Sequence, residues 1–201
     1  MALIYSYSQA VYSTDYSQID RRIAQTFYSS KDANVTHVVL PLSIDNDSGT
    51  GTYIVAIYGT TAGLPSGSAL ASYSLQLAPL TETSEQITIP LSAKLNKDTT
   101  YAIVAYISSS VRRLQWGYSE NPTYTFGSRA ISSDAGANWT ADTNIDFIFE
   151  VHGTYDVTHG QKELRNDWDE LTASDDTKYV GHTQNLIPEK SFVNKKYKKG
   201  L

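Results

Sequence analysis

Four β-strand signatures constrain what this chain can fold into more than any catalytic motif does. Residues 52–58, 100–107, 114–118 and 145–152 are rich in Tyr, Ile, Val and Phe, residue types that suit a pleated, half-buried surface. In the last stretch Ile145, Phe147, Phe149 and Val151 fall on one side of an extended backbone, and Asp146, Glu150 and His152 fall on the other, because successive strand side chains point to opposite faces. One face feeds a core; the other meets water or a partner. Turn formers such as Asp47, Ser48 and Gly49, then Gly63 and Pro65, then Asn96 and Asp98 separate the strands, and no helical period of useful length precedes about residue 160. The pattern predicts an all-β, antiparallel, jelly-roll-like β-sandwich.

Three zones follow from the changes in pattern. Residues 1–22 carry repeated Tyr-Ser pairs, such as Tyr5 with Ser6 and Tyr16 with Ser17, and read as an N-terminal extended segment. Residues 23–153 hold the strands and form the predicted sandwich domain. In residues 154–201 the alternation stops and charge rises. Leu164, Trp168 and Leu171 stand there at i, i+4 and i+7, one apolar stripe on a short helix, and Ile187 and Phe192 follow as further anchors. This zone is expected to be a mostly irregular C-terminal assembly arm with one short helix, ordered by docking on a neighbouring subunit, since a ten-residue helix is marginal alone.

At 201 residues the chain is long enough to bury a core without staples. It has no cysteine, so disulfides cannot brace it, and assembly in a reducing cytoplasm suits it. The net charge of -5 argues against nucleic acid as a partner. No segment is apolar for long enough to span a membrane as a helix, and the first residues lack the basic and apolar regions of a signal peptide.

The order of the elements is itself informative. Ala24, Gln25, Thr26 and Phe27 open the run; Gly63, Leu64 and Pro65 follow a strand ending at Tyr58; Lys97 and Asp98 lead into Tyr101; Trp116, Gly117 and Tyr118 precede Ser132 to Trp139; and a strand closes at Gly153. In this order, over roughly residues 23–153, the chain resembles the choice-of-anchor R type domain, a jelly-roll-like module of phage structural proteins and bacterial surface proteins. The resemblance implies an extracellular or virion-borne accessory domain rather than a particular ligand.

No arrangement of residues points to catalysis. His37, His152, His159 and His182 have no metal-ligand spacing, and no nucleophile elbow or phosphate loop occurs. Asp45, Asn46, Asp47 and Ser48 offer oxygens for a hard cation, but the later Glu of a calcium loop is missing, so neither a metal nor another cofactor is expected. Ser132, Asp134, Gly136 and Trp139 match the Asp-box pattern, a structural hairpin device in which Asp binds turn amides and Gly takes positive φ. Tyr118, Tyr124, Arg113 and Asn121 are the candidate glycan-binding residues, since flat ring faces stack on pyranose C–H groups and polar side chains fix hydroxyls; Trp116 and Trp139 read as core.

The expected function is therefore a non-enzymatic virion structural protein of a tailed phage, assembled in the host cytoplasm and acting outside the cell. It would serve as a capsid decoration, a tail component or a fibre component. Its partners would be copies of itself and other virion proteins, with host-surface glycan as a ligand, and neither nucleic acid nor membrane. The alternative is a carbohydrate-binding module of a bacterial surface protein.

Overall fold

The computed structural model describes residues 2–8, 13–45, 51–76, 80–110, 113–120 and 123–156. Asn46 to Ser48, Asn121 and the arm anchors Leu164, Trp168, Leu171, Ile187 and Phe192 lie outside the described residues.

Among the described residues thirteen strands form two antiparallel sheets packed as a sandwich. They are β1 (Ala2–Tyr7), β2 (Ser13–Ser17), β3 (Arg22–Ser29), β4 (Ala33–Ile44), β5 (Gly51–Thr61), β6 (Leu64–Gln76) and β7 (Glu85–Leu95). There follow β8 (Thr99–Ser110), β9 (Leu114–Ser119), β10 (Arg129–Ser132), β11 (Thr140–Asp142), β12 (Asp146–Phe147) and β13 (Phe149–Tyr155). One sheet has six strands in the order β11, β10, β3, β8, β5, β6. The other has seven: β1, β13, β4, β9 and β12 in a path, with β2 beside β9 and β7 beside β4. The chain changes sheet at most connections, as a jelly-roll-like path requires.

Each predicted stretch lies in a strand or strand pair, and the exceptions have physical causes. Phe147, Phe149 and Val151 are buried as their spacing predicts. Ile148 is buried too, because the strand breaks there: its N–H reaches Gly117 O at 3.0 Å, and its carbonyl accepts Trp116 Nε1 at 2.8 Å. Asp146, expected on the solvent side, is only 2% exposed. The Gln25 amide binds it from the opposite sheet, so the alternation fails where the sheets reach across to each other.

Residues 1–22, read from sequence as an extended segment that is either an edge strand or an arm laid on a neighbour, contain two of the sandwich's strands. β1 pairs with β13, with a bulge between Leu3 and Tyr5, and β2 pairs with β9 from Ser13 opposite Tyr118 to Ser17 opposite Leu114. Ile4 and Tyr7 enter the core.

The core lies between the sheets. Ile23 and Phe27 of β3, Tyr53, Val55 and Ile57 of β5, and Tyr101, Ile103, Ala105 and Ile107 of β8 meet Val38, Leu40 and Leu42 of β4, Leu114 and Trp116 of β9, and Phe149 and Val151 of β13. β8 is buried on both faces: its alternate residues Ala102 and Val104 join Ala24 and Ala130 in a second cluster on the outer side of the six-stranded sheet. Small residues serve there because what covers them is a thin layer of Tyr58, Leu64, Tyr106 and Trp139.

Trp116 is fully buried, with its ring stacked on Phe147 at 4.5 Å between centroids and 18° between planes. Trp116→Ala removes that stack, leaves a cavity and orphans the Ile148 carbonyl, so it is expected to lower unfolding stability by about 3 to 5 kcal/mol. A urea titration followed by circular dichroism measures this.

Candidate functional site

Three groups of side chains are brought together in ways that the linear order does not display. The first is a ladder of alternating charge along β2. Arg129 donates from Nη1 to Asp15 Oδ2 and from Nη2 to Asp142 Oδ2, each at 2.8 Å. Arg21 Nη2 lies 2.8 Å from Asp15 Oδ1 and 2.9 Å from Oδ2, while its Nη1 donates to the Tyr16 carbonyl. The Tyr16 ring in turn receives two guanidinium groups, Arg21 and Arg113, each 4.5 Å from its centroid, and Arg113 closes the series on Asp45 at 3.5 Å. Burial of Asp15 opposes its ionisation, but the hydrogen bond and charge of Arg21, with Arg129 behind them, hold its carboxyl below the usual value. Residues from five separate stretches of chain are tied together by this ladder.

Beside the ladder, Gln25 and Asp146 form a clip between the sheets. Gln25 Nε2 donates to Asp146 Oδ1 at 2.9 Å, and Gln25 Oε1 accepts the Phe147 N–H at 2.8 Å. Gln25 has no exposed surface. Burial pushes the Asp146 carboxyl up to about 6 against the pull of the Gln25 hydrogen bond, and the Asp142 charge adds to the rise. A carboxyl that titrates near neutrality has the pKa of a general acid, but with only 2% of the residue exposed its neighbours are Gln25 and the core.

The second group is the Asp-box hairpin between β10 and β11. Ser132 Oγ donates to Asp134 Oδ1 at 2.7 Å and accepts the Gly136 N–H at 2.8 Å. Asp134 accepts both the backbone N–H and the side-chain amide of Asn138, at 2.8 and 2.7 Å. These bonds, from Asn138 above all, lower the Asp134 carboxyl to about 2. Ala135 and Gly136 take positive φ of 57° and 92°, so the sharp turn falls where a glycine was expected. Trp139 leaves the turn half-buried and lies over the outer cluster of Ala24, Ala102, Val104 and Ala130.

Around Trp139 that outer face holds the third group. Tyr58 of β5 and Tyr106 of β8 flank the same cluster, and the Arg22 guanidinium lies 4.1 Å from the Tyr106 ring centroid. A Cβ on Gly136 would stand 3.1 Å from Arg22 Nη1, so the hairpin and Arg22 are in contact. The result is a partly exposed surface of aromatic rings and one guanidinium. The sequence placed Trp139 in the hairpin and in the core, whereas the ring is half-buried on the outer face because the turn lies outside the six-stranded sheet; Arg22, Tyr58 and Tyr106 were not singled out. The signal available was weak: Tyr58 and Tyr106 both lie in apolar strand runs, and nothing local says that they become neighbours.

The glycan candidates are not gathered in one place. Tyr118 lies on β9 with its ring edge-on to Phe147 at 6.4 Å, half-buried against the core. Tyr124 is wedged against Tyr7 and Phe149, at 5.7 and 5.4 Å, and burial raises its phenol strongly. Arg113 is exposed beside Asp45 and Tyr16. Asn121 lies outside the described residues. Next to Tyr124 stands Phe126, 62% exposed and stacked on Tyr28 at 6.4 Å. Elsewhere, His37 and His152 stack across β4 and β13 at 4.5 Å and 9°, with His152 Nε2 2.7 Å from Glu150 Oε2.

No protein-family model and no curated protein matches this chain. Among solved structures it has a likeness to a chain in a structure of infectious bursal disease virus, Gx strain, at 11% identity and a TM-score of 0.21, covering 85% of this chain and 47% of that one. The chain thus spans about half the length of that viral chain, and a likeness this faint carries no argument about function.

Asp146 supplies a test of the inter-sheet clip. Its pKa is raised from 3.8 to about 6 in the fold, so the folded state holds the proton more tightly and the ionised form costs stability. That cost is complete above pH 6 and vanishes as pH falls to the unfolded value. Asp146→Asn keeps an acceptor for Gln25 and removes the charge; it should stabilise the protein at pH 7 by roughly 1 to 3 kcal/mol and leave it unchanged near pH 3. Parallel urea titrations of both proteins across this range measure the difference, in which groups remote from Asp146 cancel.

Proposed function

We propose that this chain is a non-enzymatic structural protein of a tailed-phage particle, a capsid decoration, tail or fibre component, whose work is mechanical and adhesive. The observation that carries this reading is how the chain spends its clustered ionisable residues. Asp15, Arg21, Arg129 and Asp142 are bound to one another, and Asp146 to Gln25, between strands far apart in sequence. Catalysis by paired carboxylates would need a carboxylate free to meet a substrate, whereas a bracing role needs what is found, carboxylates engaged by Arg21, Arg129 and Gln25. The resemblance of the element order to the choice-of-anchor R type domain supports the same reading, and the absence of cysteine suits assembly in a host cytoplasm before release. Its partners are then copies of itself and other virion proteins.

A second reading, a carbohydrate-binding module of a bacterial surface protein, is favoured by the outer face of the six-stranded sheet. Tyr58, Tyr106 and Trp139 offer ring surface for a sugar's C–H face, and Arg22 offers donors for its hydroxyls. The same face serves a virion protein that touches host-surface glycan, so glycan binding alone does not separate the two.

Mass spectrometry of gradient-purified particles from an infected culture separates them. The virion reading expects the chain in the particle band in amounts comparable to other structural proteins; recovery in the cell-envelope fraction instead overturns it. For the ligand, a glycan array probed with multivalent protein should lose signal about tenfold in Arg22→Ala and keep it in Arg113→Ala, tenfold being roughly 1.4 kcal/mol. The reverse result moves the site to Arg113.

A further inference from the structure

The strand edges of the sandwich are not equally defended. An unpaired edge presents a row of N–H and C=O groups that can pair with another chain, and proteins blunt such edges with charge, proline, bulges or brevity. β7 carries Glu85, Pro90 and Lys94. β11 has 3 residues and includes Asp142, β2 has 5 and includes Asp15, and β1 has 6 with a bulge between Leu3 and Tyr5. β6 differs from all of them. It is 13 residues long, contains no Lys, Arg, Asp or Glu, and has its one proline, Pro65, at the second position.

β6 ends the six-stranded sheet, and β5 is its only ladder partner among the described residues. Its irregularities fall in the first half, where Leu70, Gly67 and Ser68 have no partner residue on β5. From Ala71 opposite Ile57 to Gln76 opposite Thr52 the register is continuous, about 20 Å of straight edge. Over this length Ala71, Tyr73 and Leu75 point to the core side, opposite Ile57, Val55 and Tyr53, while Ser72 and Ser74 point outward, opposite Ala56 and Ile54. Tyr73 is still 37% exposed and Leu70 is 50% exposed. Ala71 is half-buried and Leu75 is buried, so the core side is open at Tyr73, on the edge that has no second strand beside it among the described residues.

We propose that this edge is an interface between two copies of the chain, formed by antiparallel pairing of 71–75 with itself about a two-fold axis through Tyr73. A second copy is the occupant that fits, because the strand is uncharged and does not repel its own image, and because antiparallel pairing of identical strands is self-complementary. Directly opposite residues must share a face, which places Tyr73 opposite Tyr73 of the second copy and Ser72 opposite its Ser74. Each tyrosine then covers the open core margin of the other copy. The two six-stranded sheets become one continuous sheet, and pairs of outward serines meet across the join, an arrangement that strands tolerate well.

Pairing through β6 does not depend on a place in a virion: a chain that dimerises this way but is missing from particles loses the function proposed above and keeps the interface. Sedimentation velocity on the full chain should show a concentration-dependent dimer by about 100 μM, a span suited to a small interface. The double variant Ser72→Lys with Ser74→Lys sets like charges opposite each other and should weaken the dimer roughly tenfold. Mixing it with Ser72→Glu and Ser74→Glu should restore association, which a folding defect would not. Because the chain has no cysteine, Tyr73→Cys should give a disulfide-linked dimer under mild oxidation while Thr88→Cys on β7 does not. A monomer at all concentrations, a dimer indifferent to the lysines, cross-linking at 88 instead of 73, or protection from hydrogen exchange at every concentration of those alternate amides of 71–75 that point away from β5 would each overturn the proposal, the last by showing that the chain covers its own edge.

Discussion

The contact between Phe27 and Phe149, 5.8 Å between ring centroids, joins the two sheets at the point on which most of the fold converges. Phe27 comes from β3 in the six-stranded sheet and Phe149 from β13 in the seven-stranded one. Tyr101 leans on Phe27 from β8, Tyr5 leans on it from β1, and Tyr124 meets Phe149 edge-on. Each of these rings fixes something beyond itself. Tyr5 holds the first strand in its sheet, with its hydroxyl 2.9 Å from Ser29 Oγ, and Tyr124 pins the 123–128 segment that carries the chain from one sheet to the other. Large rings suit this task because each buries much area for little conformational freedom lost.

Where the aromatic core gives out, a polar brace takes over, and its energetics differ in kind. Apolar packing is tolerant of small shifts, but a buried ion pair is favourable only when geometry and hydrogen bonds are nearly complete. The ladder of Asp15, Arg21, Arg129 and Asp142 goes far toward that demand with several contacts at 2.8 Å, leaving the buried Arg129 Nε without a hydrogen-bond partner. The clip of Gln25 on Asp146 and the Phe147 N–H does so with a neutral amide. The raised pKa of Asp146 records that this closure is imperfect: burial costs more than one amide returns. The same end of the sandwich thus combines strong specification of register with a modest loss of stability at neutral pH.

The outer surfaces follow from how each strand is flanked. Tyr58, Tyr106 and Trp139 lie half-buried on the far side of the six-stranded sheet because β8 is central and must be covered on both faces. Among the described residues β6 has a strand on one side only, and its core-facing Tyr73 is 37% exposed. Binding surfaces and assembly surfaces are both consequences of strand order.

Periodicity made the strands legible, since a period of two is a local property of the extended backbone. The stretches at 52–58, 100–107 and 114–118 lie within β5, β8 and β9. The Asp-box hairpin was legible for the same reason: the Ser132, Asp134 and Gly136 contacts all close within a few residues. What the alternation could not carry was anything made by contact across the sandwich. Asp146 reads as solvent-facing until Gln25, 121 positions away, is known to be its partner, and Tyr118 and Tyr124 read as free rings until Phe147 and Phe149 are seen behind them. The order of residues by itself determined which segments are strands and which face of each is apolar. Tertiary structure alone decided which strand lies beside which, and therefore which carboxyl is buried, which rings reach the surface and which edge has no partner strand among the described residues.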